Sequence, residues 1–74
     1  MPLMNAKAEV TGAVWKILKQ VGESVGVGEE ILIIESMKME IPVITEEAGT
    51  IHDILVQPGQ PVTEGQTVAV LEIG

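Results

Sequence analysis

The chain carries a lysine in the middle of a largely apolar run. Lys38 is flanked by Met37 and Met39, within the run from Ile31 to Ile44. A cationic side chain is costly inside an apolar core, so we expect this lysine to lie where the chain turns out into water. A neutral lysine amine is also a nucleophile that forms covalent adducts with carbonyl carbons. The stretch therefore predicts an exposed hairpin tip whose lysine is available for covalent modification.

The residues around this lysine are unusual for a tight turn. The stretch from Glu35 to Glu40 contains no glycine, asparagine or aspartate, which are the residues that normally form two-residue hairpin turns. Exposed methionines gain no core packing and are more often part of a recognition surface. From the residues alone, two interpretations stay open: a site of modification or recognition, and an ordinary exposed turn residue.

Other residues capable of chemistry do not form a catalytic pattern. His52 is the sole histidine and the chain has no cysteine, so neither a metal site nor a catalytic pair is expected. The acidic pairs Glu29-Glu30 and Glu46-Glu47 join adjacent residues, which point to opposite faces of a strand. We interpret them as solvated charges and expect the protein not to be an enzyme.

The composition predicts one small all-β domain that covers residues 1–74. The chain has one tryptophan and no phenylalanine or tyrosine, so its core must be built from valine, isoleucine and leucine. The β-branched members of that set favour strands, and no segment has the period of an amphipathic helix.

The charge balance argues against two classes of partner. Eleven acidic residues oppose four lysines, and the net charge is −7. Nucleic acids and anionic membranes both require a basic surface, so neither is an expected partner. No apolar run approaches the ~20 residues of a membrane span, and the first residues do not resemble a signal peptide. We expect a cytoplasmic protein.

The sequence contains an internal repeat. A shift of 37 positions aligns residues 12–35 with residues 49–72 without a gap, and eight of the 24 pairs are identical. Two copies packed about an approximate twofold axis would explain this pattern. Lys38 opens the second copy and has Met1 as its counterpart, so the axis would place the chain ends together, at the pole opposite Lys38.

The repeat also predicts the elements that position the lysine. Strands are expected at 13–18, 31–35, 50–56 and 68–73, with short strands at 8–11 and 41–45. Apolar residues three apart in both copies predict a β-bulge near Trp15-Lys16 and another near His52-Asp53. Proline has no backbone donor, so Pro42 predicts either an edge strand or a strand whose N–H position at this residue points outward.

The repeated loop pattern is Gly-x-x-Val-x-x-Gly, starting at Gly22 in one copy and at Gly59 in the other. The paired glycines predict positive φ angles or close backbone approach, and the valine between them predicts a buried anchor.

Together, the Glu35-Ser36-Met37-Lys38-Met39 motif and the repeat resemble the biotinyl domains of biotin-dependent carboxylases, from about Ala8 to Gly74. The resemblance implies a flattened antiparallel β-barrel or sandwich of two four-stranded sheets, with Lys38 at a hairpin tip. It implies that a biotin protein ligase attaches biotin to Lys38, and that the biotin then serves a biotin carboxylase and a carboxyltransferase. Recognition by the ligase would involve Met37, Met39, Glu35, Glu40 and Ser36.

Alternatives stay open at three points. Ser36 replaces the alanine usual in biotinyl domains, and Glu-Ser is common in the related lipoyl domains, so the second hypothesis is lipoate on Lys38, or acceptance of both biotin and lipoate. Glu35 has Glu72 as its repeat counterpart, which leaves a structural role at a strand end equally open. A third hypothesis is a purely structural hairpin domain, like those of efflux adaptor proteins.

Overall fold

The computed structural model describes residues 2–74 and consists of two four-stranded antiparallel sheets, without a helix in that range. The eight strands are β1 Leu3–Lys7, β2 Gly12–Ile17, β3 Ser24–Val25, β4 Glu30–Ser36, β5 Met39–Ile44, β6 Gly49–Ile54, β7 Pro61–Val62 and β8 Thr67–Ile73. The all-β sandwich predicted from the sequence is confirmed. No helix within residues 2–74 is long and apolar enough to cross a membrane.

The two sheets are built alike. One has the strand order β1-β8-β6-β3 and the other β5-β4-β2-β7. A shift of 37 residues converts the first order into the second, strand by strand. Strands β2 and β6 share one burial pattern along their length, and so do β3 and β7. This arrangement is what two copies related by an approximate twofold axis produce.

The core lies between the sheets and is aliphatic, as the composition predicts. Its fully buried residues come from both copies and include Ile31, Leu32, Ile34, Val68 and Leu71. Burial of these side chains is the main source of stability in a domain of this size. Among residues 2–74, Thr45 is the one polar side chain that is buried with this core.

Both predicted bulges are present. The register of β2 against β4 shifts between Val14 and Lys16, and that of β6 against β8 shifts between Ile51 and Asp53. The extra residue is Trp15 in one copy and His52 in the other, and both are exposed. Pro42 lies in β5, which is an edge strand as predicted.

The glycine loops join one copy to the other. Gly22 and Gly59 have φ angles of 94° and 87°, which confirms the positive φ predicted for them. The N–H of Gly22 donates to the carbonyl of Ile51 in the second copy at 2.9 Å, and the N–H of Gly59 donates to that of Val14 in the first at 2.7 Å. Each copy thus holds a strand of the other.

One predicted strand is wrong. Residues 8–11 are not a strand; the first strand is β1, which ends at Lys7 and pairs with β8. Residues 8–11 cross from the sheet that contains β1 to the sheet that contains β2. They therefore do not pair as a strand in either sheet. The two-residue strands β3 and β7 are additional elements within the predicted loops.

Pro2 and Ile73, near the two ends of the chain, lie side by side, as the twofold axis predicts. The N–H of Ile73 donates to the carbonyl of Pro2 at 2.9 Å. Met1, the repeat counterpart of Lys38, lies outside the described residues.

Candidate functional site

Lys38 lies in a two-residue turn at the tip of the β4–β5 hairpin. Ser36 and Met39 form the last cross-strand pair, so only Met37 and Lys38 connect the strands. Their φ angles are 50° and 66°, and positive φ at both central residues is the pattern of a type I′ turn. L-residues other than glycine and asparagine rarely adopt this backbone, which costs about 1–2 kcal/mol per residue. The backbone of the turn is therefore strained at both residues.

The tip presents its side chains to solvent. Met37 is 93% exposed and Met39 is 64% exposed, and Lys38 is exposed between them. Within residues 2–74 the one ion pair closer than 4.0 Å joins Lys19 to Glu29, so no carboxylate there neutralises the Lys38 amine. The exposed amine is therefore open to reaction with a partner.

A hydrogen bond anchors the tip to the rest of the fold. Ser36 Oγ donates to the carbonyl oxygen of Thr11 at 2.8 Å, and Thr11 Oγ1 accepts from the N–H of Glu64 at 3.0 Å. Ser36 is only half exposed, unlike the residues of the turn beyond it. Its hydroxyl thus fixes the base of the turn to the segment that crosses between the sheets. Sequence reasoning placed Ser36 among the ligase-recognition residues and missed this bond.

The start of β2 also supports the tip. Gly12 packs so closely against β4 that a Cβ at this position would overlap the carbonyl oxygen of Glu35. Gly49 stands in the same relation to Glu72 in the other copy. Because the obstacle is backbone in both cases, no side-chain rotation could relieve it. This contact explains why glycine occurs at both positions. The tip is therefore supported by the packing of β2 as well as by the hydrogen bond of Ser36.

Two carboxylates face each other below the turn. Glu35 and Glu40 are direct partners across β4 and β5, and both are exposed. Like charges directly opposite each other destabilise a hairpin, and no cationic group among residues 2–74 lies within 4.0 Å of either. The pair gives the outer face of the hairpin a concentrated negative charge that the fold itself does not use.

The hairpin brings all six predicted site residues together, from Glu35 to Glu40, whereas the other polar candidates lie elsewhere. His52 is exposed in the β6 bulge. Within residues 2–74 no three histidine, cysteine or acidic side chains are grouped as metal ligands. The tip therefore offers one chemical function, an accessible primary amine on a rigid support. An acyl group joined through an amide fits this site, because it needs an unpaired amine and open space beyond it.

Comparison with known proteins identifies a family model that matches almost all of the chain. The model described as "Biotin-requiring enzyme", that of biotin/lipoyl attachment domains, matches residues 3–71. The chain is 32% identical over 65 residues to the biotin/lipoyl attachment protein of Bacillus subtilis, and the alignment covers 88% of this chain and 89% of that protein.

Larger proteins contain a similar segment. The dihydrolipoyllysine-residue succinyltransferase component of the 2-oxoglutarate dehydrogenase complex of Staphylococcus saprophyticus is 39% identical over 69 residues, which are 93% of this chain but 16% of that protein. The crystal structure of the Kluyveromyces lactis urea carboxylase superimposes with a TM-score of 0.93 at 35% identity, over 97% of this chain and 6% of that one. The chain thus spans only a small part of these two relatives.

Proposed function

The chain belongs to the biotin/lipoyl attachment family, whose domains are non-catalytic cofactor carriers, and on this basis we propose that it carries biotin as an amide on Lys38. We further propose that residues 1–74 form one carrier domain. The observation that carries the proposal is the exposed Met37-Lys38-Met39 tip, with an amine that no carboxylate among residues 2–74 neutralises.

The attachment reaction needs an activated acyl group and a neutral amine. The Lys38 nitrogen attacks the carbonyl carbon of a biotinyl-adenylate held by a biotin protein ligase, the acyl–phosphate bond breaks, and AMP leaves as the amide forms. The amine loses its protons to solvent or to the ligase. The domain contributes the position of the nucleophile, because the anchored turn holds Lys38 away from the body of the fold.

The residues beside Lys38 suit recognition by the ligase. Met37 and Met39 offer flexible apolar side chains that pack well against a partner when water is excluded. Glu35 and Glu40 add a pair of negative charges on the outer face of the hairpin. Neither feature stabilises the isolated domain, which favours a role in an interaction.

Attached biotin carries a carboxyl group between two active sites. We propose that the partners are a biotin carboxylase and a carboxyltransferase, as in a biotin-dependent carboxylase. The likeness to the Kluyveromyces lactis urea carboxylase supports this choice. A long arm on a rigid tip keeps the cofactor at a high local concentration near both sites.

Lipoate on Lys38 is the second candidate. The Glu35-Ser36 pair is shared with lipoyl domains, and the chain is 39% identical to the segment of the dihydrolipoyllysine-residue succinyltransferase component. Both neighbours of Lys38 are methionines, however, and this favours biotin.

Coexpression separates the two candidates. The chain is produced in cells that contain both biotin and lipoate ligases, and its intact mass is measured. We expect a gain of one biotinyl group, reactivity with streptavidin, and loss of both in Lys38→Arg. Lys16→Arg, which removes a lysine outside the tip, is the matched control and should be modified like the parent chain. A lipoyl mass, or no modification at all, would refute the biotin proposal.

A further inference from the structure

A shallow groove lies on the body of the domain, away from the tip. Its volume is about 620 Å³. The half-buried side chains of Ile17 and Ile54 line it, and Val21 and Pro58 flank it on the two glycine loops. Volumes of this size are typical of binding sites in proteins.

The groove lies where the two copies of the repeat meet. Ile17 and Ile54 are counterparts under the shift of 37, and so are Val21 and Pro58. These four residues form a nearly symmetric apolar surface. Because these four residues follow the repeat, the duplication of the fold explains them. Groove residues that differ from their repeat counterparts need another explanation.

Two other residues that line the groove depart from this symmetry. Trp15 and Lys16 line the groove, whereas their counterparts His52 and Asp53 do not. Trp15 is the only tryptophan of a chain without phenylalanine or tyrosine, and it is 46% exposed, so much of its side chain lies outside the core. Lys16 Nζ lies over the Trp15 ring, 5.9 Å from its centroid. Exposed tryptophan is enriched at the centre of protein interfaces.

The groove is basic on an acidic domain. Lys16 and Lys19, two of the four lysines in a chain of net charge −7, line it. Glu29, 3.9 Å from Lys19, partly offsets the charge of that lysine, so Lys16, which has no ion pair within residues 2–74, supplies most of the positive charge of the groove. No acidic side chain is among the residues of the groove wall. An anionic ligand would therefore be attracted here and repelled over most of the remaining surface.

The groove is separate from the attachment site. Ile17 pairs with Leu32, which precedes Lys38 by six residues, so the two places are roughly 20 Å apart along the strands. A partner bound in the groove would leave the tip free. We propose that this groove is a docking site for an acidic segment of a partner protein, with an aliphatic side chain of that segment packed against Trp15 and Ile54. This goes beyond the carrier function and does not depend on which cofactor Lys38 bears.

Peptide titration tests the proposal. The probe is a short blocked peptide in which leucines are flanked by glutamates, compared with the same peptide carrying lysines instead. Binding is followed by the fluorescence of Trp15, the sole tryptophan, and by amide NMR shifts of the labelled full chain. We expect the acidic peptide to bind with roughly millimolar affinity or tighter, weakening with added salt, and to shift signals of Ile17, Val21 and Ile54.

Matched variants come from the repeat itself. Followed by the NMR shifts, which need no tryptophan, Trp15→Ala should weaken binding at least about tenfold, whereas its counterpart change His52→Ala should not. A Lys16→Glu, Lys19→Glu double variant should abolish binding, with Lys7→Glu as its charge control. Lys38 modification should be unchanged in all of them, so a failure of docking is distinguishable from a failure of the carrier function. The proposal would be overturned if neither peptide bound, if the lysine peptide bound equally well, or if the shifts were confined to the tip. It would also be overturned if Trp15→Ala and His52→Ala bound the acidic peptide equally.

Discussion

The strained turn at the tip gives the sharpest test of why these residues are present. We predict that Met37→Asn makes the unmodified domain more stable and a poorer substrate of biotin protein ligase. Met37 has a φ of 50° in the left-handed region, which asparagine adopts far more readily than methionine. Met37 is 93% exposed, so the replacement sacrifices almost no core packing. Stability and recognition should therefore change in opposite directions.

The expected sizes follow from these two facts. Removing most of the left-handed cost at one residue should add about 1 kcal/mol to the free energy of unfolding. For a domain of this size that is a rise of about 4–8 °C in Tm. Losing a methionine side chain that becomes buried against the ligase removes about 1.5–3 kcal/mol of binding energy. The second-order rate of modification should then fall by about 10- to 150-fold.

Thermal unfolding of the unmodified chain and a steady-state ligase assay measure the two effects. Met37→Leu is the control, since leucine keeps an apolar side chain and the same backbone cost; its Tm should match that of the parent chain. A Met37→Asn variant with unchanged or lower Tm would show that the turn is not strained at this residue. A variant with an unchanged modification rate would show that the ligase does not use Met37.

Two further pairs of measurements address the support and the charge of the tip. Gly12→Ala and Gly49→Ala should each lower the free energy of unfolding by roughly 1–3 kcal/mol, because each new Cβ overlaps a backbone carbonyl oxygen. Only Gly12→Ala, which lies beside Glu35, should also slow modification of Lys38; equal rates in the two folded variants would contradict a supporting role for Gly12. Glu40→Gln should raise stability by less than about 1 kcal/mol, an effect that disappears at high salt, because it relieves repulsion from Glu35. The same variant should be modified more slowly by the ligase, and a rate equal to that of the parent chain would exclude Glu40 from recognition.

Most of the fold could be predicted from the repeat. The strand predicted at 8–11 is wrong because the repeat also covers the residues before it. Strands predicted at 41–45 and 8–11 are inconsistent with each other, since a shift of 37 maps the first onto 4–8. The observed β1, Leu3–Lys7, is the counterpart of most of β5 and has the same burial pattern. Identity between the copies is low in this region, and β1 forms only by pairing with the distant β8. Local patterns carry little information about such a strand.

The position of the site was predictable, but its geometry was not. The apolar run and the repeat placed Lys38 at a hairpin tip. The bond from Ser36 to Thr11 joins residues 25 positions apart, and the contact of Gly12 with Glu35 also depends on how β2 packs beside β4. The left-handed backbone of Met37 and Lys38 follows from the pairing of Ser36 with Met39, which leaves only two residues for the turn. These features depend on the exact cross-strand register, since a slip of one residue would turn every side chain to the other face. The sequence patterns placed the ends of the strands only to within one or two residues.

The two copies of the repeat agree at some positions and differ at others, and these two sets of residues differ in how they contribute to the fold. Where the copies agree, as at Gly12 and Gly49, the structure shows a packing reason for the shared residue. Where they disagree, at Met37 and Lys38 in the tip and at Trp15 and Lys16 in the groove, the side chains are exposed and contribute little to the core. Selection for stability alone would not keep strained methionine in a turn or a half-exposed tryptophan beside a lysine. Both departures from symmetry support the proposals that the tip binds the ligase and that the groove binds an acidic segment of a partner.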